Sequence, residues 1–222
     1  MKSHDIKNKA LQLGYLACGI IPANVFDEYK DYLDRRVKLY PESKELYDPL
    51  YNNARQPENA KSIIVCTHRY NIYKVPDYMN RLIGKFYLFD SRVPYSPEYR
   101  ENAEFETFLQ LLGFSFFPCN IPDRLAAAKA GLGKIARNNF LYDSEHGSYL
   151  WIDAWVIDKE LEYDRVEDNI WLPDCNDTCQ KCIQSCPTKA LSGSYSMDRG
   201  KCITHLTCNA KDTLNAELRS QM

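Results

Sequence analysis

The feature that constrains this chain most is its run of cysteines: Cys175, Cys179, Cys182 and Cys186, the last followed by Pro187, with Cys202 and Cys208 beyond. The gaps match the C-x2-C-x2-C-x3-C-P spacing of cluster-binding chains with one residue inserted in the first gap. A cubane presents several iron corners close together, so short loops bring successive thiolates onto one cluster, and a more distant cysteine closes the fourth corner. A zinc knot is the competing reading, but zinc-binding C-x2-C pairs are normally separated by about a dozen residues or more and need no closing Cys-Pro. A disulfide scaffold fits less well, because 222 residues can build a core without staples and the first residues hold no apolar secretory segment. The spacing therefore points to an iron–sulfur module.

Counting limits that module to one [4Fe–4S] cluster. Two cubanes with full cysteine ligation need about eight thiolates, and only six of the nine cysteines follow Asp174. Cys175, Cys179 and Cys182 are assigned to the cluster, with Cys208 as fourth ligand in preference to Cys202 and Cys186. A triad of Cys179, Cys182 and Cys186 is the alternative. Cys18, Cys66 and Cys119 fall in apolar stretches and read as small buried residues.

Formal net charge is −2 with both signs interspersed, which supplies neither a basic footprint for nucleic acid nor a polybasic membrane patch. No stretch approaches about eighteen uninterrupted apolar residues, so no membrane association is expected. The expectation is a soluble cytoplasmic protein in a reducing compartment, where clusters survive. Oligomeric state is not legible.

Along the chain, residues 5–13 form an amphipathic helix stopped at Gly14, and 15–21 a buried strand. Asn24 is the expected N-cap of a helix to about residue 37, followed by a second helical segment over 42–51. The β-branched run 61–66 is the best strand candidate and is expected to be central in a sheet. A polar, aromatic loop follows, then a weakly helical stretch over 79–89 and a loop over 91–99. Residues 101–112 form a helix closed by Gly113, and 114–117 a strand. Pro122 opens a helix over 123–130 that stops at Gly131. Residues 139–142 and 149–157 look like two strands of a meander, and the acidic stretch 160–168 like a linker. The expected division is residues 1–165 as an α/β domain and 166–222 as the cluster module.

The run PDRLAAAKAGLGKIARNNFL at 122–141, followed by HGSY at 146–149, resembles the signature of epoxyqueuosine reductases and, in variant form, of corrinoid reductive dehalogenases. The segment MDRGKCITHLT at 197–207 is similar to the stretch after the first Cys-Pro of the same families. The resemblance implies an α+β fold: a nitroreductase-like α/β sandwich of the cobalamin-binding type, with a small C-terminal ferredoxin-like module. It implies that the cluster passes electrons to a bound cobalamin or other corrinoid. A donor such as ferredoxin or flavodoxin would feed it. Gly131, Leu132 and Gly133 would lie against the macrocycle, with Arg124, Lys134 and Arg137 meeting its polar groups. Tyr95, Tyr99 and Asp123 are the candidate proton donors. His68, His146 and His205 read as satisfied loop residues before ligands or acids.

The sequence departs from that family in three places. It lacks the second cysteine run and the helical extension associated with tRNA, and where the family carries a general-acid aspartate it reads Phe117-Pro-Cys-Asn-Ile-Pro122, with Asp123 out of register. On that basis tRNA is not expected as a partner. A flavin-dependent reductase on the nitroreductase-like scaffold, and a non-catalytic electron carrier, are the competing functions.

Overall fold

Burial on both faces is what turns the β-branched run into a central strand. In the computed structural model, which describes residues 3–80, 82–118, 120–173, 175, 178–193, 195–208 and 216, that run lies within β2, Ser62–Arg69. The other strands are β1 (Ala17–Pro22), β3 (Phe116–Phe117), β4 (Lys134–Ile135), β5 (Leu141–Tyr142) and β6 (Leu150–Ile157). Helices are α1 (Ser3–Gln12), α2 (Tyr29–Leu39), α3 (Lys44–Tyr47), α4 (Pro97–Leu111), α5 (Asp123–Lys129), α6 (Lys181–Ser185) and α7 (Ile203–Cys208). The fold is mixed α/β. The chain gathers into two compact units that no single cut separates: Met1–Val25, Gln56–Lys134 and Leu141–Ile170 in the first, Phe26–Arg55, Ile135–Phe140 and Trp171–Met222 in the second.

The first unit is built on an antiparallel sheet of order β1-β2-β6-β3. Ile64 stands opposite Ile20 and Trp155, and all three join Ile6 and Ala10 of α1 and Phe105 and Leu109 of α4 in one core. Successive strand residues face opposite sides, so Ile63 and Val65 turn to the other face, where α5 packs on β1, β2 and β6. With both faces covered the strand needs no polar alternation. The alanines of α5 serve that packing: Ala126, Ala127 and Ala128 are fully buried, and a Cβ at Gly19 of β1 would come within 2.7 Å of the Ala130 methyl.

Several expectations change here. Asn24 caps nothing: α2 begins at Tyr29 after Glu28, because the chain turns at 23–24 and again at 27–28 before entering it. Among the described residues of 79–89 there are only single 3-10 turns, at Asp77–Met79 and Lys85–Leu88, separated around Gly84. The expected loop at 91–99 already contains the start of α4, where the Ser96 hydroxyl accepts the Tyr99 N–H at 3.0 Å and Pro97 takes the first helical position. Leu141–Tyr142 lies outside the four-stranded sheet instead of forming a meander with β6. The stretch 160–168 is no free linker. Asp164 accepts the Ile20 N–H at 2.8 Å and pairs with Lys7, the Glu167 N–H donates to the Lys129 carbonyl at 2.8 Å, and Leu161 and Tyr163 pack against the core. Cys66 is fully buried as expected, Cys18 opposite it is half-buried, and Cys119 lies outside the described residues.

The second unit joins residues 26–55 to the cysteine segment. Arg36 of α2 donates to Asn139 Oδ1 at 3.0 Å and to the Tyr195 carbonyl at 3.3 Å. Tyr32 and Tyr195 each pack a ring on Trp171, at centroid distances of 5.6 and 4.5 Å. Ser43 donates to Asp198 Oδ1 at 2.6 Å, and the Tyr47 hydroxyl donates to the Met197 carbonyl. The cysteine-bearing loops thus rest on a helical platform from far up the chain.

Candidate functional site

The eight described cysteines are free thiols, and six of them, Cys175, Cys179, Cys182, Cys186, Cys202 and Cys208, belong to the second unit. Cys182 lies on the short helix α6 and Cys186 closes it, while Cys202 and Cys208 bracket α7. Arg137 ties two of the loops together: its backbone N–H points at Cys175 Sγ at 3.4 Å, its Nη1 donates to the Cys179 carbonyl at 2.9 Å, and its Nε donates to the Gly193 carbonyl. It is 7% exposed. The structure therefore spends this residue, expected to meet the polar groups of a cofactor, as a strut inside the cysteine unit.

The donor set suits iron–sulfur ligation. Burial pushes the Cys186 thiol up, but the backbone N–H groups of Leu191, Ala190 and Thr188 and the Thr188 hydroxyl outweigh it, and the net shift is downward, toward thiolate. Among the described residues no three His, Cys, Asp or Glu side chains converge closely enough to hold a single metal ion.

In the first unit, α5 carries Asp123 and Arg124 in its first turn, both exposed. Although Asp123 is exposed as a residue, the protein crowded around its carboxyl pushes it up to about 6, with Arg124 opposing the shift and the Asp153 carboxylate adding to it. Such a carboxyl can carry a proton at near-neutral pH. Neighbouring Asp153 is raised by burial against hydrogen bonds from Trp151, Ser91 and Asn102.

The turn after α5 has the Schellman pattern. The Gly131 N–H bonds the Ala128 carbonyl at 3.1 Å and the Leu132 N–H the Ala127 carbonyl at 2.9 Å, with Gly131 at φ +75°. The two glycines have different reasons to be there. A Cβ on Gly131 would meet only Glu167 Cγ at 3.8 Å, so its outer face is open, whereas a Cβ on Gly133 would lie 2.6 Å from the Tyr142 carbonyl oxygen. Gly133 is required by internal packing. Lys134 reaches Glu167 Oε2 at 3.1 Å and the Asn169 carbonyl. Tyr95, at φ +74° and 83% exposed, and Tyr99 stand at the start of α4. His146 sits 2.9 Å from Asp143 through Nδ1, a satisfied loop residue as expected. His68 differs from that expectation: it is buried, and its Nε2 has no hydrogen-bond partner among the described residues.

No family model matches the chain. The fold is nevertheless that of solved epoxyqueuosine reductases. The protein from Streptococcus thermophilus superposes with a TM-score of 0.67 at 22% identity, and the one from Bacillus subtilis, solved with its catalytic aspartate loop swung out of the active site, with 0.67 at 21%. Each comparison covers 98% of this chain and 60% of the other, so the present chain spans less than two thirds of those proteins. In sequence it is similar along nearly its whole length to the epoxyqueuosine reductase of Cellulophaga algicola, at 28% identity over 97% of this chain and 72% of the relative. Similarity to that of Pseudomonas aeruginosa reaches 33%, over 48% of this chain and 29% of the relative.

One of these comparisons corrects the expectation about partners. An epoxyqueuosine reductase of the same fold, with a TM-score of 0.66, has been solved with a tRNA-Tyr epoxyqueuosine-modified stem loop, so setting tRNA aside was wrong. The expectation rested on segments that this sequence lacks and on a net charge summed over the whole chain, and neither reports the charge of a particular surface. Residues 69–100 carry six Arg or Lys against three Asp or Glu, while the rest of the chain carries 22 against 27. The local basic excess is hidden in the total. Among the described residues no helix is long and apolar enough to cross a membrane.

Proposed function

We propose that this protein is an iron–sulfur reductase of the epoxyqueuosine reductase type, acting on a modified nucleoside carried by tRNA. The observation that carries the reading is the conjunction of near-full-length similarity to those enzymes with six free thiols collected in one compact unit. In this reading the first unit is a nitroreductase-like, corrinoid-binding domain and the second a ferredoxin-like module with one [4Fe–4S] cluster. Cys179 and Cys182 are ligands in either ligand set. The third is Cys175, whose Sγ faces the Arg137 N–H, or Cys186, whose thiol is held toward the thiolate. A corrinoid, when bound, would supply a low-valent cobalt centre for the reduction. Against it the chain would present the open face of Gly131, with Leu132 behind and Arg124 beside Asp123. Asp123 would deliver the proton that reduction of a carbon–oxygen bond requires, with Tyr95 and Tyr99 bordering the substrate. A ferredoxin or flavodoxin would return the electrons.

The test is anaerobic purification followed by iron analysis and separate titrations with hydroxocobalamin and flavin mononucleotide. About four irons per chain and a changed corrinoid spectrum on binding are expected. Iron near eight per chain would refute the single cluster. Flavin binding with no corrinoid response would transfer the reading to a flavin reductase.

A further inference from the structure

The end of β2 and the first turns of α4 enclose a pocket of about 260 Å3 in the first unit. Three of its lining groups are hydrogen-bond acceptors brought together from distant parts of the chain: His68, Glu98 and Glu101. Glu98 is buried, and its carboxylate is held by the Asp90 N–H at 3.0 Å and the Tyr73 hydroxyl at 2.8 Å. Glu101 Oε2 lies 3.8 Å from His68 Nε2, too far for a hydrogen bond between them. His68 is 3% exposed and bonds the Gly14 backbone through its ring, yet Nε2 has no hydrogen-bond partner among the described residues.

The protonation states sharpen the picture. Burial outweighs the Glu98 field and pushes His68 down to about 4, so at neutral pH its Nε2 offers a lone pair. Burial and then the Glu98 charge push the Glu101 carboxyl up. Two carboxylates and an imidazole acceptor thus converge, and among the described residues no Lys or Arg forms an ion pair with Glu98 or Glu101. Of the basic groups at the lining, Arg69 turns its Nε to Asn71 Oδ1 at 2.6 Å, and His146 pairs with Asp143. Gly14, at φ +96°, makes room for the Glu101 carboxylate, since a Cβ there would come 3.3 Å from Oε1. Leu16, Ile72 and Phe89 complete an apolar wall.

We infer that this pocket binds a small organic cation, a primary ammonium or an amidinium. Its N–H groups bond His68 Nε2 and the Glu101 carboxylate while its carbon skeleton lies against Phe89. The volume falls below the range of about 300–1,000 Å3 typical of drug-sized ligands, which limits the occupant to about ten heavy atoms. A buried acceptor left unbonded carries a desolvation cost that such a donor removes, and a cation relieves the Glu98–Glu101 repulsion at the same time. The inference does not depend on a cluster, a corrinoid or RNA.

Benzamidine, benzamide and benzoate, titrated separately against the full chain by ligand-observed NMR and calorimetry, test it. Benzamidine should bind at least about tenfold more tightly than its neutral isostere benzamide, and benzoate should not bind. Glu101→Gln should weaken benzamidine about tenfold, as should His68→Phe, which keeps a ring but removes the acceptor. If His68→Phe melts early, the rim variant Glu101→Gln alone decides. Equal affinity for benzamidine and benzamide, no benzamidine binding at millimolar concentration, or unchanged affinity in a folded Glu101→Gln would each overturn the inference.

Discussion

Asp123 and Arg137 show how far a residue's role depends on what surrounds it. Asp123 is held near 6 by the protein around it, so it is a proton donor below that pH and a carboxylate above it. If it supplies the proton in the reductive step, activity should fall as pH rises through about 6. Asp123→Asn should abolish that limb and lower kcat by about 10^2–10^4-fold, the usual contribution of a general acid. A pH–rate profile of both proteins decides, and an unchanged limb in the variant would assign the proton to another group. The stability sign is equally definite. The folded state holds this proton more tightly than the unfolded chain does, so Asp123 costs stability as pH rises from the ordinary carboxylate range through 6, and Asp123→Asn should melt higher at pH 7. Arg137 makes the opposite case, a charge whose work is structural. Arg137→Ala would leave the Cys179 and Gly193 carbonyls without their donor and should destabilise the second unit by about 2–4 kcal/mol, with iron content falling in parallel. Normal iron and an unchanged melt would remove it from the cysteine scaffold.

Among the elements, the helix-and-turn from α5 to Gly133 carries most of the family resemblance, and packing explains more of it than chemistry does. The alanines let α5 sit on the sheet, Gly131 supplies a left-handed turn, and Gly133 passes the backbone of Tyr142. Substitution therefore separates two effects. Gly131→Ala should cost about 1 kcal/mol through its positive φ alone and leave iron content unchanged, so if a corrinoid binds as proposed, any loss of its affinity reads out contact at the open face of Gly131. Gly133→Val drives a branched side chain into the Tyr142 backbone and should cost at least about 3 kcal/mol whatever the cofactor. Equal, mild effects of the two changes on thermal melting would show that the turn can move and is no fixed platform.

For the whole molecule, the distribution of charge outweighs its total. The segment 69–100 combines its basic excess with exposed Tyr78, Tyr87 and Tyr95, the pairing of cations and aromatic faces that single-stranded nucleic acid uses. If tRNA is the partner, as proposed, Lys74→Glu combined with Lys85→Glu should weaken binding of a tRNA stem loop by about tenfold or more and lower the salt slope by about two. Fluorescence anisotropy across a potassium chloride series reads both quantities. An unchanged slope, with RNA still bound by the parent, would place the RNA on another surface.

Much of the fold could be read in the chain because the forces concerned act over short sequence distances. The β-branched run at 62–66 is a strand, the apolar spacing of Phe105 and Leu109 is a helix face, and Gly131 is a helix stop, since each depends on residues within a few positions. Thiol number and spacing are equally local, and they bound the ligands of a cluster without any coordinates. What escaped the sequence was decided by neighbours distant along the chain. Residues 26–55 belong with the cysteines because Arg36 and Tyr47 meet partners more than a hundred positions away, which no window registers. The stretch 160–168 lacks an apolar stripe, yet it is held by Ile20 and Lys7. His68 and Asp123 owe their protonation, and Arg137 its contacts, to the protein that folding packs around them, a sum over every atom brought near. Only the tertiary structure performs that sum, and so it alone made Arg137 a strut, left His68 an acceptor and raised the Asp123 carboxyl toward neutral pH.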